Sequence, residues 1–488
     1  MKAQELLSQF KRMGGAIWRV GEQIKYKAPC GMMTEDMRSS LHTHRQEILA
    51  LLAADHAAQG HRAMPVPSPS AAAADRETDR QEDTDPGATF LPASSARDLV
   101  DDMDLRPPSG PPHYPPRDVF LTGATGFLGS FLLTALLERT DAKVCCLLRG
   151  TDPAALCARL NAALKRYQLP SVHFGDRVEC IGGDLTQPFL GLGEARFCAL
   201  SEKLDGVYHC AADVNLMQDY DALRPANVLG TKQILRLISL GQPKALHHVS
   251  TVGVFMLLPP TNGVVDEDDD IGDGGELLIG YQQTKWAAEK LVQNAASRGL
   301  PCAIYRPGVI SGDSRTGIMD RGQLGSRQLL SQLRYGMVPD LQMSVDMAPV
   351  EYVGNAIAHI SLRPDCSGGR FHLCNPNPIT LQEMTSVFTR LGFSVSTVPF
   401  MAFKALLDTV DATDTGIFPL LSHFAKDVSF NDGAEAVALQ RALEAVTTRK
   451  FSCTHTLESL QGSGIECPRI DDRLIGTYTA FLRREGLI

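Results

Sequence analysis

Asp118 to Gly150 reads DVFLTGATGFLGSFLLTALLERTDAKVCCLLRG, and this stretch decides the fold. An apolar run suited to a strand, Val119-Phe120-Leu121, breaks into the glycine-rich turn TGATGFLG, Thr122 to Gly129. The pattern then predicts an amphipathic helix from Ser130 to Arg139 and a second strand from Lys143 to Leu148. Strand, glycine turn, helix and strand make a βαβ unit that opens on a phosphate-binding turn. Gly123 permits the sharp turn, Gly126 lets backbone N–H groups approach a pyrophosphate, and Gly129 lets helix and strand pack closely. A pyrophosphate there lies at the positive end of the helix dipole. Thr122, Thr125, Phe127 and Leu128 complete the turn and join the glycines as expected dinucleotide contacts.

An NAD-specific unit ends its second strand in Asp or Glu, about 20 residues past the glycines, to hold the ribose 2′-hydroxyl. Here that place holds Arg149, and the strand tip carries no acid. A guanidinium suits a 2′-phosphate, which it can grip with two parallel hydrogen bonds. Arg159, on the helical stretch after it, is a second clamp. The cofactor expected is therefore NADP(H); the plainer alternative is an exposed arginine at a strand end.

The 488 residues exceed the usual length of one domain and carry ample apolar content for a large core. A formal net charge of −9 argues against a nucleic-acid partner. No segment has the charge-free apolar run of a membrane span, and the opening MKAQELLSQFKRM reads as a helix rather than a signal peptide. The 12 cysteines are scattered without CxxC pairs or metal-ligand spacing, so reduced thiols and no metal are expected, in a cytoplasmic protein.

Residues 1–54 read as a small module. A helix is predicted over Ala3 to Met13, with Leu6, Leu7 and Phe10 at helical spacing, then strands Ala16 to Val20 and Gln23 to Lys27 about a Gly21-Glu22 turn. Thr34 heads a short helix and Leu41 to Ala54 forms another. This αββαα order, with IWRVGEQIKYKAP and HRQEILALLAAD, resembles the TubC-type N-terminal docking domain of nonribosomal peptide and polyketide assembly lines. A two-stranded hairpin leaves an edge that another chain can extend, and Arg19, Lys25 and Lys27 favour an acidic partner tail. A stabilising extension with no partner is the alternative. Residues 55–116 (MPVPSPSAAAADRETDRQEDTDPGA within them) have the composition of a flexible tether, its last part, from Leu91, packing on the domain beyond it. No helical serine motif of a phosphopantetheine carrier is present in the sequence.

Over residues 117–312 strands and helices alternate, which predicts a Rossmann-like, doubly wound parallel sheet with ligands at the strands' carboxyl ends. Strands are expected at Arg177 to Ile181, Gly206 to Cys210, Leu246 to Ser250 and Cys302 to Tyr305, and helices at Asn227 to Ser239 and Trp286 to Ser297. The strand-end loops Gly183-Asp184-Leu185, Ala211-Ala212-Asp213 and Arg306-Pro307-Gly308 have the small residues a cleft requires. Asp184, Leu185, Ala211, Ala212, Asp213, Pro307 and Gly308 are assigned to cofactor contact at those loops. Beyond Gly312 the pattern turns helical and irregular, and 313–488 is expected to form a smaller, mainly helical substrate-binding region, ending in a helix from Asp471 to Glu485.

The chemical signal is Tyr281-Gln-Gln-Thr-Lys285, whose i, i+4 spacing puts phenol and ammonium on one helical face. A neighbouring cation is expected to lower the tyrosine's pKa and improve proton transfer, while Lys285 also grips the nicotinamide ribose. Thr251 supplies a hydroxyl to polarise a carbonyl oxygen, with Ser250 its rival. Asn227, which begins a helix where a structural asparagine suits such a site, is counted with Tyr281 and Lys285 among the expected cofactor contacts. His209, His247 and His248 read as packing residues, and the acidic run Asp266 to Asp270 as a solvated loop.

DVFLTGATGFLG, VCCLLRG, GGDLTQP, YHCAADVN, NVLGT, HHVSTVGVF, GYQQTKWAAE, YRPGVISGDS and DMAPVEYVG together resemble the extended short-chain dehydrogenase/reductase superfamily. Within it the chain is similar to the thioester reductase domains that end nonribosomal peptide synthetases and carboxylic acid reductases. The resemblance implies NADPH-dependent release of a carrier-bound phosphopantetheinyl thioester as an aldehyde, and further reduction to an alcohol stays open. It implies catalysis by Thr251, Tyr281 and Lys285, and recruitment to an upstream synthetase through residues 1–54. The competing classes are a fatty acyl-CoA reductase, an epimerase or another short-chain reductase acting on a free small molecule, and a non-catalytic or cyclising partner.

Overall fold

The structure is a computed structural model that describes residues 16–20, 23–27, 95, 98–99, 105–172, 176–255, 263–274, 277, 279–409 and 448–488. The chain divides into two units, Met1–Asp85 and Pro86–Ile488. In the first, strands Ala16–Val20 and Gln23–Lys27 pair antiparallel, with Ile17 opposite Tyr26 and Val20 opposite Gln23. The helices predicted at Ala3 to Met13, after Thr34 and at Leu41 to Ala54 lie outside the described residues.

Seven strands organise the second unit: β1 (Asp118–Thr122), β2 (Lys143–Leu148), β3 (Val178–Gly182), β4 (Gly206–His209), β5 (Ala245–Val249), β6 (Cys302–Pro307) and β7 (Arg370–Leu373). They lie in the order β7-β6-β5-β4-β1-β2-β3, every neighbouring pair parallel. The order reverses at β1 and β4, so their carboxyl ends splay apart and leave a crevice above the glycine turn. β4, β5 and β6 are buried along their whole length, as strands covered on both faces must be.

The main helices are α1 (Phe127–Arg139), α2 (Pro153–Arg166), α3 (Gly230–Ile238), α4 (Gly280–Ser297), α5 (Val350–Ile360) and α6 (Asp472–Arg484). α2 starts where Asp152 accepts from Ala154 N and Ala155 N, with Pro153 already in helical φ at its first position. α1 is not the one-faced helix that its sequence predicts. Phe127 to Leu133, Ala135 and Leu136 are all buried, because α5 packs across the side that would otherwise face water. Each fully buried leucine there contributes about 1.5–3 kcal/mol relative to an exposed one.

The chain past residue 312 does not separate as a region of its own. It supplies β7 to the edge of the sheet and α5 to α1, and one apolar core joins Leu121 and Leu132 to Ile357, Leu373 and Tyr478. The strand Arg370–Leu373 went unpredicted because RFHL is too short to show a period. Around it lie short strand pairs: Ile310–Ser311 with Ala348–Pro349, Met337–Pro339 with Ser396–Val398, Ser344–Val345 with Ile379–Thr380, and Val264–Val265 with Lys450–Phe451. In the stretch expected to be tether, Leu105 is buried, and Asp98 pairs with Arg224 and accepts from Tyr220 at 2.6 Å. No helix among the described residues is long and apolar enough to cross a membrane.

Candidate active site

The carboxyl ends of the strands open into one cleft of about 1080 Å³. Its floor is the glycine turn. Gly123 has φ +81°, and a Cβ there would meet Ala211 N at 2.8 Å; a Cβ on Gly129 would meet Gly123 O at 2.0 Å. The hydrogen bonds Gly126 N to Gly123 O and Ser130 N to Gly126 O, both 2.9 Å, then lead the turn into α1. A side chain would fill this cradle, so the turn fits a dinucleotide pyrophosphate against the start of α1.

Thr122, Gly123, Thr125 to Gly129, Arg149, Arg159, Asp184, Leu185, Ala211 to Asp213, Pro307 and Gly308 all line this cleft, as do Thr251, Tyr281 and Lys285. Arg149, just past β2, and Arg159, on α2, are exposed at its edge, and neither pairs with a carboxylate among the described residues. Asn227 lies behind the wall rather than lining it. It is buried and closes on both sides of Asp213, accepting from Asp213 N at 2.7 Å and donating to Asp213 O at 2.9 Å.

The rival hydroxyls Ser250 and Thr251 differ in what they touch. Ser250 is buried and donates to Glu289 Oε2 at 2.5 Å. Thr251 is half-buried and accepts from Gly253 N at 3.1 Å, and its own proton is committed to no group among the described residues. α4 begins at Gly280 and carries Tyr281 in its first turn, as the i, i+4 reading of Tyr281 and Lys285 requires, and continues through the helix expected from Trp286 to Ser297. Lys285 is buried one turn on and donates to Val249 O at 2.7 Å.

The electrostatics of the pair differ from the sequence expectation. Burial pushes the Tyr281 phenol up to about 12, the Cys210 thiol adds to the rise, and Lys285 is not a lowering influence. Desolvation also draws Lys285 down to about 8, against the upward pull of Glu289 and Cys210.

Behind the cleft lies a buried charged frame whose pairing no local pattern announces. Glu289, one turn past Lys285, is fully buried and pairs with the fully buried Arg306 at 2.6 Å. Arg306 also donates to Glu267 O at 2.9 Å and lies over the Phe255 ring at 4.8 Å. Glu267 corrects the expectation of a solvated acidic loop. It is fully buried and accepts from His372 N, Thr456 N and Thr456 Oγ1 through one oxygen and from His455 N at 2.6 Å through the other. Burial raises its pKa while those donors oppose the rise. The clamp secures the segment that brings Arg449 and Phe451 to the cleft wall. Asp346, also on that wall, accepts from Asn375 N at 2.7 Å, and a Cβ on Gly308 would meet its Oδ2 at 2.0 Å. Burial lifts the Asp346 carboxyl to about 6.

This sheet order, with the glycine cradle at its switch point, defines a dinucleotide-binding fold of the Rossmann type. Residues 121–357 match the NAD-binding family described as male sterility protein, and residues 4–53 match the TubC N-terminal docking domain. The terminal R domain of the myxalamid PKS-NRPS pathway is 35% identical, with a TM-score of 0.72 over 81% of this chain and 98% of that one. The reductase (R) domain of a Mycobacterium tuberculosis nonribosomal peptide synthetase is 25% identical, with a TM-score of 0.61 over 82% and 97%. A linear gramicidin synthase of Brevibacillus parabrevis is 35% identical over 367 residues, which are 75% of this chain but 7% of that protein. The chain thus spans a small part of such synthetases, as it does 26% of the isonitrile lipopeptide synthase of Streptomyces coeruleorubidus. The chain belongs to the reductase (R) domain family of nonribosomal peptide synthetases.

Proposed function

We propose that this protein is an NADPH-dependent thioester reductase, which releases an acyl or peptidyl chain from a carrier protein as an aldehyde. The observation that carries this reading is the gathering, in one cleft, of the glycine cradle and two arginines with Thr251, Tyr281 and Lys285. The backbone of Thr122 to Gly129 holds the pyrophosphate, and Arg149 and Arg159 hold the 2′-phosphate. When bound, the reduced nicotinamide supplies a hydride.

Thr251 and Tyr281 donate hydrogen bonds to the thioester carbonyl oxygen, and these strengthen as negative charge builds on it. The phenol, raised to about 12, is protonated at neutral pH and starts each turnover as the proton donor. Its proton passes to the oxygen, which gives a hemithioacetal. Tyr281 phenolate then takes back the hydroxyl proton, the C–S bond breaks, and the phosphopantetheine sulfur leaves and is protonated from water. Lys285, its ammonium anchored on Val249 O, orients the ribose. Asn227 fixes the Asp213 loop and the first turn of α4 from behind. The match of residues 4–53 to a docking domain supports recruitment of the reductase to an upstream synthetase through its N-terminal module.

The test is NADPH oxidation on an acyl carrier protein beside the same acyl group on coenzyme A, with product mass read out. Aldehyde formed much faster from the carrier supports the reading, and equal rates would favour a reductase of free acyl-CoA. Removing residues 1–54 is expected to spare a small free thioester and to slow the cognate carrier.

A further inference from the structure

A buried histidine ties the cofactor floor to the tyrosine helix. His209, at the end of β4, is 2% exposed. Its Nδ1 lies 2.9 Å from Thr122 Oγ1, at the start of the glycine turn, and its Nε2 lies 3.1 Å from Thr231 Oγ1 on α3. Thr231 Oγ1 donates to Asn227 O at 2.7 Å. Asn227 Nδ2 donates to Thr284 Oγ1 at 3.0 Å, and Thr284 Oγ1 donates to Tyr281 O at 2.9 Å.

The direction of each bond comes from counting protons. The one hydroxyl proton of Thr231 is spent on Asn227 O, so Thr231 can only accept from the ring. His209 therefore carries its proton on Nε2. Burial, with Lys285 adding to it, pushes the imidazole down to about 3, so the ring is neutral and Nδ1 is an acceptor. The Thr122 hydroxyl must then donate to Nδ1, and its lone pair accepts from Ala211 N at 3.2 Å. The proton of Thr284 is spent on Tyr281 O, which fixes the Asn227 amide with its nitrogen toward Thr284 and its oxygen toward Asp213 N. Thr122, His209, Thr231, Asn227 and Thr284 are all buried and each has one role. A buried network with every donor and acceptor satisfied is costly to break at any one link, so a shift at one end is felt at the other.

We propose that His209 is a positioning residue that couples the seating of the glycine turn to the placement of Tyr281. This rests on the reductase reading above, and it adds that the dinucleotide floor and the phenol move as one body.

The experiment uses the full chain. His209→Leu keeps the bulk and breaks the chain; His209→Gln replaces the ring nitrogens with an amide oxygen and nitrogen of similar spacing. The leucine variant is expected to lose at least about tenfold in kcat, and the glutamine variant to stay within about threefold of wild type. Thr284→Val is expected to lose a similar factor, and the double variant with His209→Leu no more than about twofold beyond the worse single one. Losses that multiply, or equal losses for Leu and Gln, would overturn the coupling. If His209→Leu does not fold, the nearly isosteric Thr231→Val takes its place in the cycle. Amide exchange with NADPH alone decides the matter separately from thioester chemistry. Residues 280–285 should gain protection on binding in the wild type and much less in Thr231→Val; equal gains would remove the inference and leave the reductase reading untouched.

Discussion

The two halves of the cleft are built in opposite ways. The dinucleotide half is made of successive strand tips, β1, β2, β4 and β5, whose shape is set by backbone: a cradle that no side chain can enter and strands paired in register. The opposite wall is assembled from pieces far apart in the chain, such as Val264–Val265 beside Lys450–Phe451, and is held by buried carboxylates, Glu267 and Asp346. One half depends on main-chain geometry and tolerates little change anywhere in the turn. The other depends on a few side chains and leaves the surface between them free to vary.

The sharpest way to probe that contrast is at the chemistry the two halves share. Tyr281→Phe removes the proton donor and is expected to lower kcat by about 10²–10⁴-fold, with NADPH affinity nearly unchanged, as read by single-turnover kinetics and fluorescence titration. Breaking the side-chain frame beneath it comes next. Glu289→Ala leaves Arg306 charged, buried and unpaired and should cost about 3–5 kcal/mol in denaturant unfolding. An intact unfolding midpoint would mean that the frame is not what holds this region. Arg149→Ala, which alters only the exposed rim of the backbone-built half, should weaken NADPH by about 10–100-fold and leave NADH almost as before. Equal losses for both cofactors would place the 2′-phosphate elsewhere.

Glu267→Gln should cost about 1–3 kcal/mol and act locally, by raising amide exchange over 450–456 more than over 122–129. Equal exchange in both would dissolve the distinction between the halves. The smallest effect is a pH limb. Lys285 is a cation below its depressed pKa of about 8 and loses that charge as pH rises, so kcat/KM for the dinucleotide should decline on the alkaline side of about 8. Tyr281, raised to about 12, stays protonated across the same range. Lys285→Arg, with a charge that does not titrate there, should flatten the limb.

The same contrast explains what could be read from the sequence. The turn TGATGFLG and the strands of the first half carry local signals, since a glycine cradle and an apolar run are properties of neighbouring residues. β2 falls at Lys143–Leu148 as expected, and β1, β4, β5 and β6 within a residue or two at each end. The cleft wall from Val309 onward carries no such signal, because its strands are two or three residues long and pair across large separations. Arg306 stood in plain view in YRPG, but its partner is 17 residues upstream on a different element. Glu267 was hidden among acids that do face water: Asp268 is half or more exposed where Glu267 is sealed. The phenol's pKa was misjudged for a related reason, since spacing shows a cation nearby but not how dry the site is.

The Glu267 clamp and the Tyr478 hydroxyl, which donates to Gly312 O at 2.7 Å, bear on how such a domain can be transplanted. A boundary drawn at the end of the family match, residue 357, would excise the sheet's edge strand β7 and the segment that brings Arg449 and Phe451 to the cleft wall. Any chimaera that grafts this domain onto a foreign synthetase has to carry the chain through α6, and a graft that stops short should still resemble the parent in sequence searches while lacking the edge of its sheet and part of its core.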